Sequence, residues 1–274
     1  MSNPIAKPPA PSPGVLESDS YGKALRVAQE KLRTMDSRAV AERCGAEWVP
    51  AADGGGELLV RFLGQDFAVQ LPEATVWTVE HAERGLGPAD ASCPCCQAEA
   101  VLAGGESLVA GGIDSHQPVH PPATSRHPQA NTYGEASIWD AILILHYLGS
   151  DAPVPPRGEP IAFQDMLEGK FYDPAFQGRC RVPLERKFGA APEKLIPSAE
   201  KLGGCAWERG DVSVVVPAFP RVDVHLVLYR GDDEFPPSAT VLFSSTVASF
   251  LSAEDVAVLG GAVVGRMGRA AAKT

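Results

Sequence analysis

Apolar residues recur every three or four positions in the first part of the chain and again near its middle. Between residues 21 and 43 this spacing predicts a helix that Asp36 interrupts, so that a second, short helix follows and ends at Gly45. The run Ile138–Leu148 carries one broad apolar stripe, and Ser137 before it is suited to cap a helix. We therefore predict helices over both segments.

Helices are also predicted in the second half of the chain. Their ranges are 173–188, 192–202 and 253–267. The pair Asp173-Pro174 predicts the start of the first one, because Asp caps helices and proline is favoured at the first helical position. Ser252 and Asp255 have the spacing of a capping box in front of the last one.

Short runs rich in β-branched and aromatic residues predict strands. They cover residues 46–49, 57–63, 66–71, 75–79, 212–216, 222–229 and 239–243. The second and third runs flank Gly64-Gln65, a compact turn that predicts a hairpin. Because the strands come in runs and do not alternate with helices, the predicted fold class is α+β, with helices packed on a mainly antiparallel sheet.

Glycine and proline divide the chain into segments. Residues 1–17 are rich in proline and serine and are predicted to form a disordered tail. Residues 82–134 are predicted to be a flexible insertion that contains cysteine and histidine, because a structureless segment of this length is unusual inside a compact domain. The segments 18–81 and 135–270 are then the two parts of one α+β domain.

Charge and composition exclude several partners. The 274 residues carry a formal net charge of −10, which argues against nucleic acid because its recognition needs a basic surface. No apolar run reaches the roughly 20 residues that span a bilayer, so no membrane association is predicted. Six cysteines are too few for a disulfide scaffold, and this favours a cytoplasmic location.

Cysteines and histidines within the predicted insertion have the character of metal ligands. The thiolates of Cys93, Cys95 and Cys96 favour a soft metal, namely zinc, copper or an iron–sulfur centre. His116 and His120 are candidates for the remaining ligand of a tetrahedral site. The alternative is a loop whose thiols hold no metal, since the pattern is not a pair of C-x-x-C motifs.

His146 is a candidate for acid–base chemistry. It lies beside the apolar stripe of the predicted helix in the middle of the chain, where an imidazole can act as a ligand or a general base. Asp232 and Glu234 are its candidate catalytic partners, in an acidic turn that also contains Asp233 and Phe235. The alternative is a structural histidine and a solvated turn whose phenylalanine fills the core.

Four segments of the second half resemble a known family. They are ILILHYLG (142–149), IAFQDMLEGKFYDPAF (161–176), PAFPRVDVHLVLYRGDDEFPPSATVLF (217–243) and FLSAEDVAVLG (250–260). In this order they are similar to DUF3786, a family of small cytoplasmic domains without an established activity. Some members are joined to an iron–sulfur module, so the resemblance hints at redox or corrinoid metabolism, with a metal or a corrinoid as the cofactor.

The resemblance also implies a pocket between the helix of His146 and the acidic turn. Tyr147, Asp233 and Phe235 are the candidate cofactor-binding residues of that pocket. Three functions are compatible with these observations. They are a protein that binds a metal or a metal-containing cofactor, an enzyme with His146 as general base, and an interaction protein that binds a protein partner through residues 82–134.

Overall fold

Two antiparallel sheets of five strands each form the framework of the protein. The structure, a computed structural model, describes residues 20–52, 54–80 and 132–273. Over these ranges the chain combines helices with the two sheets, and the predicted α+β class is confirmed. None of the helices in these ranges is long and apolar enough to cross a membrane.

The first sheet is a meander in which each strand pairs with the next one along the chain. Its strands are β1 (Glu47–Pro50), β2 (Gly56–Phe62), β3 (Gln65–Leu71), β4 (Thr75–Glu80) and β5 (Thr132–Glu135). The predicted hairpin joins β2 to β3, but its turn is Leu63-Gly64, one residue earlier than predicted. Both residues have positive φ, 49° and 80°, as a two-residue hairpin turn with a matching twist requires.

The second sheet has the strand order β6-β10-β9-β8-β7. Its strands are β6 (Ile161–Ala162), β7 (Cys205–Trp207), β8 (Val212–Phe219), β9 (Val222–Tyr229) and β10 (Ser238–Phe243). Successive side chains of a strand point to opposite faces. Val224 and Leu226 of β9 therefore lie in the core, while Asp223 and His225 lie on the other face of the sheet.

Several helices begin at the capping residues that the sequence predicts. The α-helices in the described ranges are α1 (Ser20–Arg33), α2 (Ser37–Cys44), α3 (Ile138–Leu148), α4 (Gly169–Phe176), α5 (Val182–Phe188), α6 (Leu195–Glu200) and α7 (Ala253–Ala272). The side chains of Asp36 and Ser137 accept backbone N–H groups at the starts of α2 and α3. The predicted capping box of Ser252 and Asp255 is present at the start of α7.

The predicted helix start at Asp173-Pro174 is wrong. The chain already turns at Glu168, whose backbone is left-handed with a φ of 64°, and α4 begins at the next residue. Pro174 consequently lies inside α4, and the Asp173 carboxylate accepts the side-chain amide of Gln177 at 3.2 Å. A π-helical turn over Gln177–Arg181 then connects α4 to α5.

An aromatic column connects the two sheets with each other and with α3. The ring of Tyr147 stacks on Phe219 of β8 with centroids 4.2 Å apart, and Phe219 stacks on Phe62 of β2 at 4.6 Å. Phe250, just before α7, lies 5.0 Å from Tyr147 on another side. Large aromatic side chains contribute most to core energetics, so this column ties α3 and both sheets into one core.

Candidate functional site

A cavity of about 250 Å³ opens on the face of the second sheet that points away from the core. We call it the sheet cavity. The polar and aromatic side chains on its wall are Arg157, Trp207, Arg209, Asp223, His225 and Ser244. Charged groups that converge in one concavity are the usual mark of a binding or catalytic site.

The floor of the sheet cavity is formed by β9. Asp223 and His225 are two residues apart on this strand, so both side chains point to the same face. The backbone around Asp223 is fixed by Ser244, whose hydroxyl accepts the Asp223 N–H at 2.7 Å. His225 pairs in register with Val215 of β8 and Leu242 of β10. The sheet ladder therefore sets the positions of both titratable groups.

Arg157 reaches the cavity from the loop that joins α3 to β6. Its Nη2 lies 2.7 Å from Oδ2 of Asp223. The loop is held close by, because Gly158 donates its N–H to the Ser245 hydroxyl at 2.7 Å and Ser249 donates its hydroxyl to the Pro153 carbonyl at 2.8 Å. Arg157 is thus positioned by hydrogen bonds on both sides of it along the chain.

Trp207 and Arg209 form the opposite wall. The guanidinium carbon of Arg209 lies 4.7 Å from the centre of the Trp207 ring, and that ring is 4.7 Å from the imidazole of His225. Arg209 also lies 3.3 Å from the carboxylate of Glu159, which is 86% exposed. Such an exposed ion pair is weak, so Arg209 remains available to a ligand.

His225 has an unsatisfied polar atom. Its Nδ1 is buried and has no hydrogen-bond partner among the described residues. Burial, together with the positive charges of Arg157 and Arg209, lowers the pKa of His225 to about 4. The imidazole is therefore neutral at neutral pH, and a neutral imidazole offers one donor and one acceptor.

Asp223 is the buried acid of the same cavity. Burial raises the pKa of its carboxyl group, and the guanidinium of Arg157 acts against this effect. The carboxylate neutralises part of the positive charge of Arg157, but a guanidinium has five N–H donors. One close contact with Asp223 leaves most of these donors free for another oxygen.

His146 lines a second cavity, of about 430 Å³, between α1, α3 and the start of α7. We call it the helix cavity. The Nδ1 of His146 lies 2.7 Å from Oδ1 of Asp255. This hydrogen bond raises the pKa of His146, while burial acts against it. Burial acts to raise the pKa of Asp255, but the hydrogen bond and charge of His146 and the hydrogen bonds of Ser252 lower this pKa overall.

The structure places the predicted partners of His146 in a separate, exposed turn between β9 and β10. Asp232 accepts the backbone N–H groups of Glu234 and Phe235 at 2.9 and 2.7 Å, which lowers the pKa of its carboxyl group. No residue of 232–235 is in the wall of the helix cavity. Among the described residues, Asp255 is the carboxylate that hydrogen-bonds to the imidazole of His146. No contact supports the predicted pairing of His146 with Asp232 or Glu234.

The candidate cofactor-binding residues do not line either cavity. Tyr147 is completely buried, donates its hydroxyl to the Cys44 carbonyl at 2.5 Å and accepts the Arg221 N–H at 3.2 Å. Phe235 is 66% exposed, so it does not fill the core. Asp233 lies beside it in the exposed turn.

The predicted metal ligands lie outside the described residues. This applies to Cys93, Cys95, Cys96, His116 and His120. Within the ranges that the structure describes, no three side chains of His, Cys, Asp or Glu converge to hold a metal ion. A metal site in the segment 82–134 therefore stays a prediction from the sequence.

Sequence reasoning missed the residues of the sheet cavity. The signal for two of them was present, because Asp223 and His225 interrupt a run of valine and leucine on a strand whose opposite face is apolar. Arg157, Trp207 and Arg209 had no such signal, since Trp207 ends the short edge strand β7 and both arginines lie in loops. Their proximity depends on sheet pairing between distant segments.

Comparison with models of protein families identifies the family of the chain. A family model described as "Domain of unknown function (DUF3786)" matches residues 118–266. This range includes every residue of the sheet cavity wall, and also His146 and Asp255. The chain matches no curated protein and no solved structure.

Proposed function

Because the chain belongs to the DUF3786 family, whose function is unknown, we propose its function from the geometry of the sheet cavity: it binds a small molecule through an oxyanion group of that molecule. The observation that carries the proposal is a single cavity wall that holds two guanidinium groups and a buried imidazole nitrogen, which has no hydrogen-bond partner within the described part of the chain. Fixed donors of this kind recognise carboxylates and phosphates.

The two arginines supply positive charge from opposite walls. Arg157 is 46% exposed and Arg209 is 53% exposed, so both guanidinium groups can be reached from solvent. Each is held in place, Arg157 by Asp223 and Arg209 by stacking on Trp207. A donor that is already oriented loses little side-chain entropy on binding, which favours an anion that contacts both groups.

The neutral imidazole of His225 supplies selectivity. A buried polar atom without a partner costs about 1–3 kcal/mol, and a ligand atom that hydrogen-bonds to Nδ1 removes this cost. A ligand with an oxyanion group and a second polar atom thus fits better than a simple ion. A bare metal cation fits poorly, because it would lie between two positive charges.

Calorimetric titration of the full chain tests the proposal, with inorganic phosphate and acetate as probes. We expect one anion site per chain, with an affinity that falls as salt increases. Loss of a charge-assisted hydrogen bond of about 1.5–3 kcal/mol weakens binding by roughly tenfold or more, so R209A should bind at least that much more weakly. R230A is the matched control, because Arg230 is exposed just beyond the end of β9 and is not in the cavity wall.

Two outcomes would contradict the proposal. One is the absence of saturable binding of either probe to the wild-type chain at millimolar concentrations. The other is an equal loss of binding in R209A and R230A, which would indicate nonspecific attraction to surface charge.

A further inference from the structure

His146 and Asp255 form a hydrogen-bonded pair, and both oxygens of the Asp255 carboxylate accept hydrogen bonds. Oδ1 of Asp255 lies 2.7 Å from Nδ1 of His146. Oδ2 accepts both the hydroxyl of Ser252 at 2.7 Å and its backbone N–H at 3.2 Å. The capping box at the start of α7 therefore orients the carboxylate toward α3, and the carboxylate orients the imidazole.

This arrangement determines which nitrogen of His146 is available. Because the partner is an ionised carboxylate, Nδ1 carries the proton and donates it. In the neutral ring Nε2 then has a lone pair, and among the described residues it has no hydrogen-bond partner. The imidazole is 33% exposed and lines the helix cavity, so a ligand in the cavity can reach Nε2.

The hydroxyl groups of the cavity wall are already engaged. Ser150 donates to the Tyr147 carbonyl at 2.9 Å, and Ser249 donates to the Pro153 carbonyl at 2.8 Å. Ser252 donates to Asp255. No serine of this wall is therefore poised to give its proton to His146, and a proton that reaches Nε2 has to come from a ligand or from water.

The remaining wall is mostly apolar and contains one cation. Val27, Leu145 and Leu251 contribute aliphatic surface. Lys31 is also in the wall, and its ammonium group lies 3.5 Å from the carboxylate of Asp151. These surroundings suit a small apolar body with a single polar group, held near a positive charge.

We propose that the helix cavity is a second ligand site, in which Nε2 of His146 accepts the proton of a weakly acidic hydroxyl on a small, mostly apolar molecule of the phenol type. The O–H bond of the ligand breaks and an N–H bond forms at Nε2. The electron pair stays on the ligand oxygen, so a phenolate faces an imidazolium that Asp255 stabilises. This site is separate from the sheet cavity and does not depend on the function proposed for it.

Titration of the full chain with p-nitrophenol, whose phenolate absorbs visible light, tests the proposal. At neutral pH, where part of the free probe is protonated and part of His146 is neutral, the wild-type chain should produce a saturable increase in phenolate absorbance. H146Q should reduce the apparent affinity about tenfold or more, because glutamine can still donate to Asp255 but cannot accept the proton. R230A is the matched control and should behave as wild type, since Arg230 is exposed beyond the end of β9 and lines neither cavity.

A second measurement keeps the test valid if H146Q folds poorly. In ¹⁵N-histidine-labelled wild-type protein, addition of p-nitrophenol should shift the Nε2 resonance of His146 toward that of a protonated nitrogen and leave His225 unchanged. The proposal is overturned if wild-type protein shows no saturable phenolate signal. It is also overturned if a folded H146Q variant gives the same signal as wild type.

Discussion

Arg157 contacts Asp223 across the wall of the sheet cavity, with Nη2 and Oδ2 2.7 Å apart. The two side chains differ sharply in their surroundings, because that of Asp223 is 6% exposed and that of Arg157 is 46% exposed. A buried carboxylate without its cation is costly. The contact therefore stabilises the folded chain as well as positioning a guanidinium for a ligand.

The variant R157A should lower the free energy of unfolding by about 1–3 kcal/mol at neutral pH. Removing one partner leaves the charge of Asp223 buried without compensation, and the exposure of Arg157 keeps the loss below that of a fully buried pair. Urea denaturation at constant ionic strength measures the change.

A double variant separates this effect from loss of packing. R157A/D223N should be more stable than R157A, because the neutral amide needs no cation. R230A should remain within about 0.5 kcal/mol of wild type. Equal stability of R157A and R230A would show that the contact contributes nothing measurable.

The stability contributed by His146 should depend on pH. Its pKa in the folded chain is raised above 6.5, so the contribution is fully present below pH 6.5 and is lost as the pH rises through the folded-state pKa. The pKa of Asp255 is lowered below 3.8, so its contribution is present above pH 3.8 and is lost as the pH falls through the folded-state pKa. H146Q should therefore lose most stability relative to wild type between pH 3.8 and 6.5, and the difference should shrink toward about pH 9.

His225 should show the opposite pH dependence. Its folded-state pKa is lowered from 6.5 to about 4, so the neutral ring stabilises the fold above pH 6.5, and this contribution is lost as the pH falls toward 4. Wild type should thus lose stability relative to H225Q as the pH falls across this range. Thermal denaturation of both histidine variants over the same pH series checks the two signs. If stability changed with pH in the same direction for both histidines, at least one of the two described environments would be wrong.

The sequence predicts local structure here much better than it predicts the sites. The limits of α3 and β9 follow from Ser137 as a cap and from alternation along the strand, and both depend on neighbouring residues. Asp255 shows where such reasoning ends. Its capping contact with Ser252 spans three residues and is visible in the sequence, whereas its contact with His146 spans 109 residues and requires the fold.

The sheet cavity illustrates the same limit. Trp207 stands beside His225 because β7 and β9 both pair with β8, an arrangement that no local pattern specifies. The acidic turn attracted attention because three carboxylates are adjacent in sequence, yet Asp232 uses its carboxylate to stabilise the turn itself. Residues that are adjacent in the sequence therefore suggested a functional role for the turn, whereas the residues of the sheet cavity are distant in the sequence and gave no such indication.

The metal site predicted in the segment 82–134 can be tested directly. Protein purified without oxygen should contain about one equivalent of zinc, copper or iron by elemental analysis, since three thiolates at this spacing select a soft metal. The variant C93S/C96S should lose the metal, while S107A in the same segment should retain it. Metal-free wild-type protein, or equal metal content in all three chains, would refute the prediction.

Binding of an anion in the sheet cavity should be coupled to uptake of a proton by His225. In the free protein, burial and the charges of Arg157 and Arg209 hold this imidazole neutral. A bound oxyanion offsets the two guanidinium charges and offers an acceptor to the ring, so the pKa of His225 rises on binding. By linkage, sulfate, whose own charge stays constant over this range, should bind more tightly as the pH falls from about 7 toward about 5. Calorimetry in two buffers with different ionisation enthalpies measures the proton uptake. This uptake should disappear in H225Q and persist in H146Q. Proton uptake that persists in H225Q would contradict the coupling.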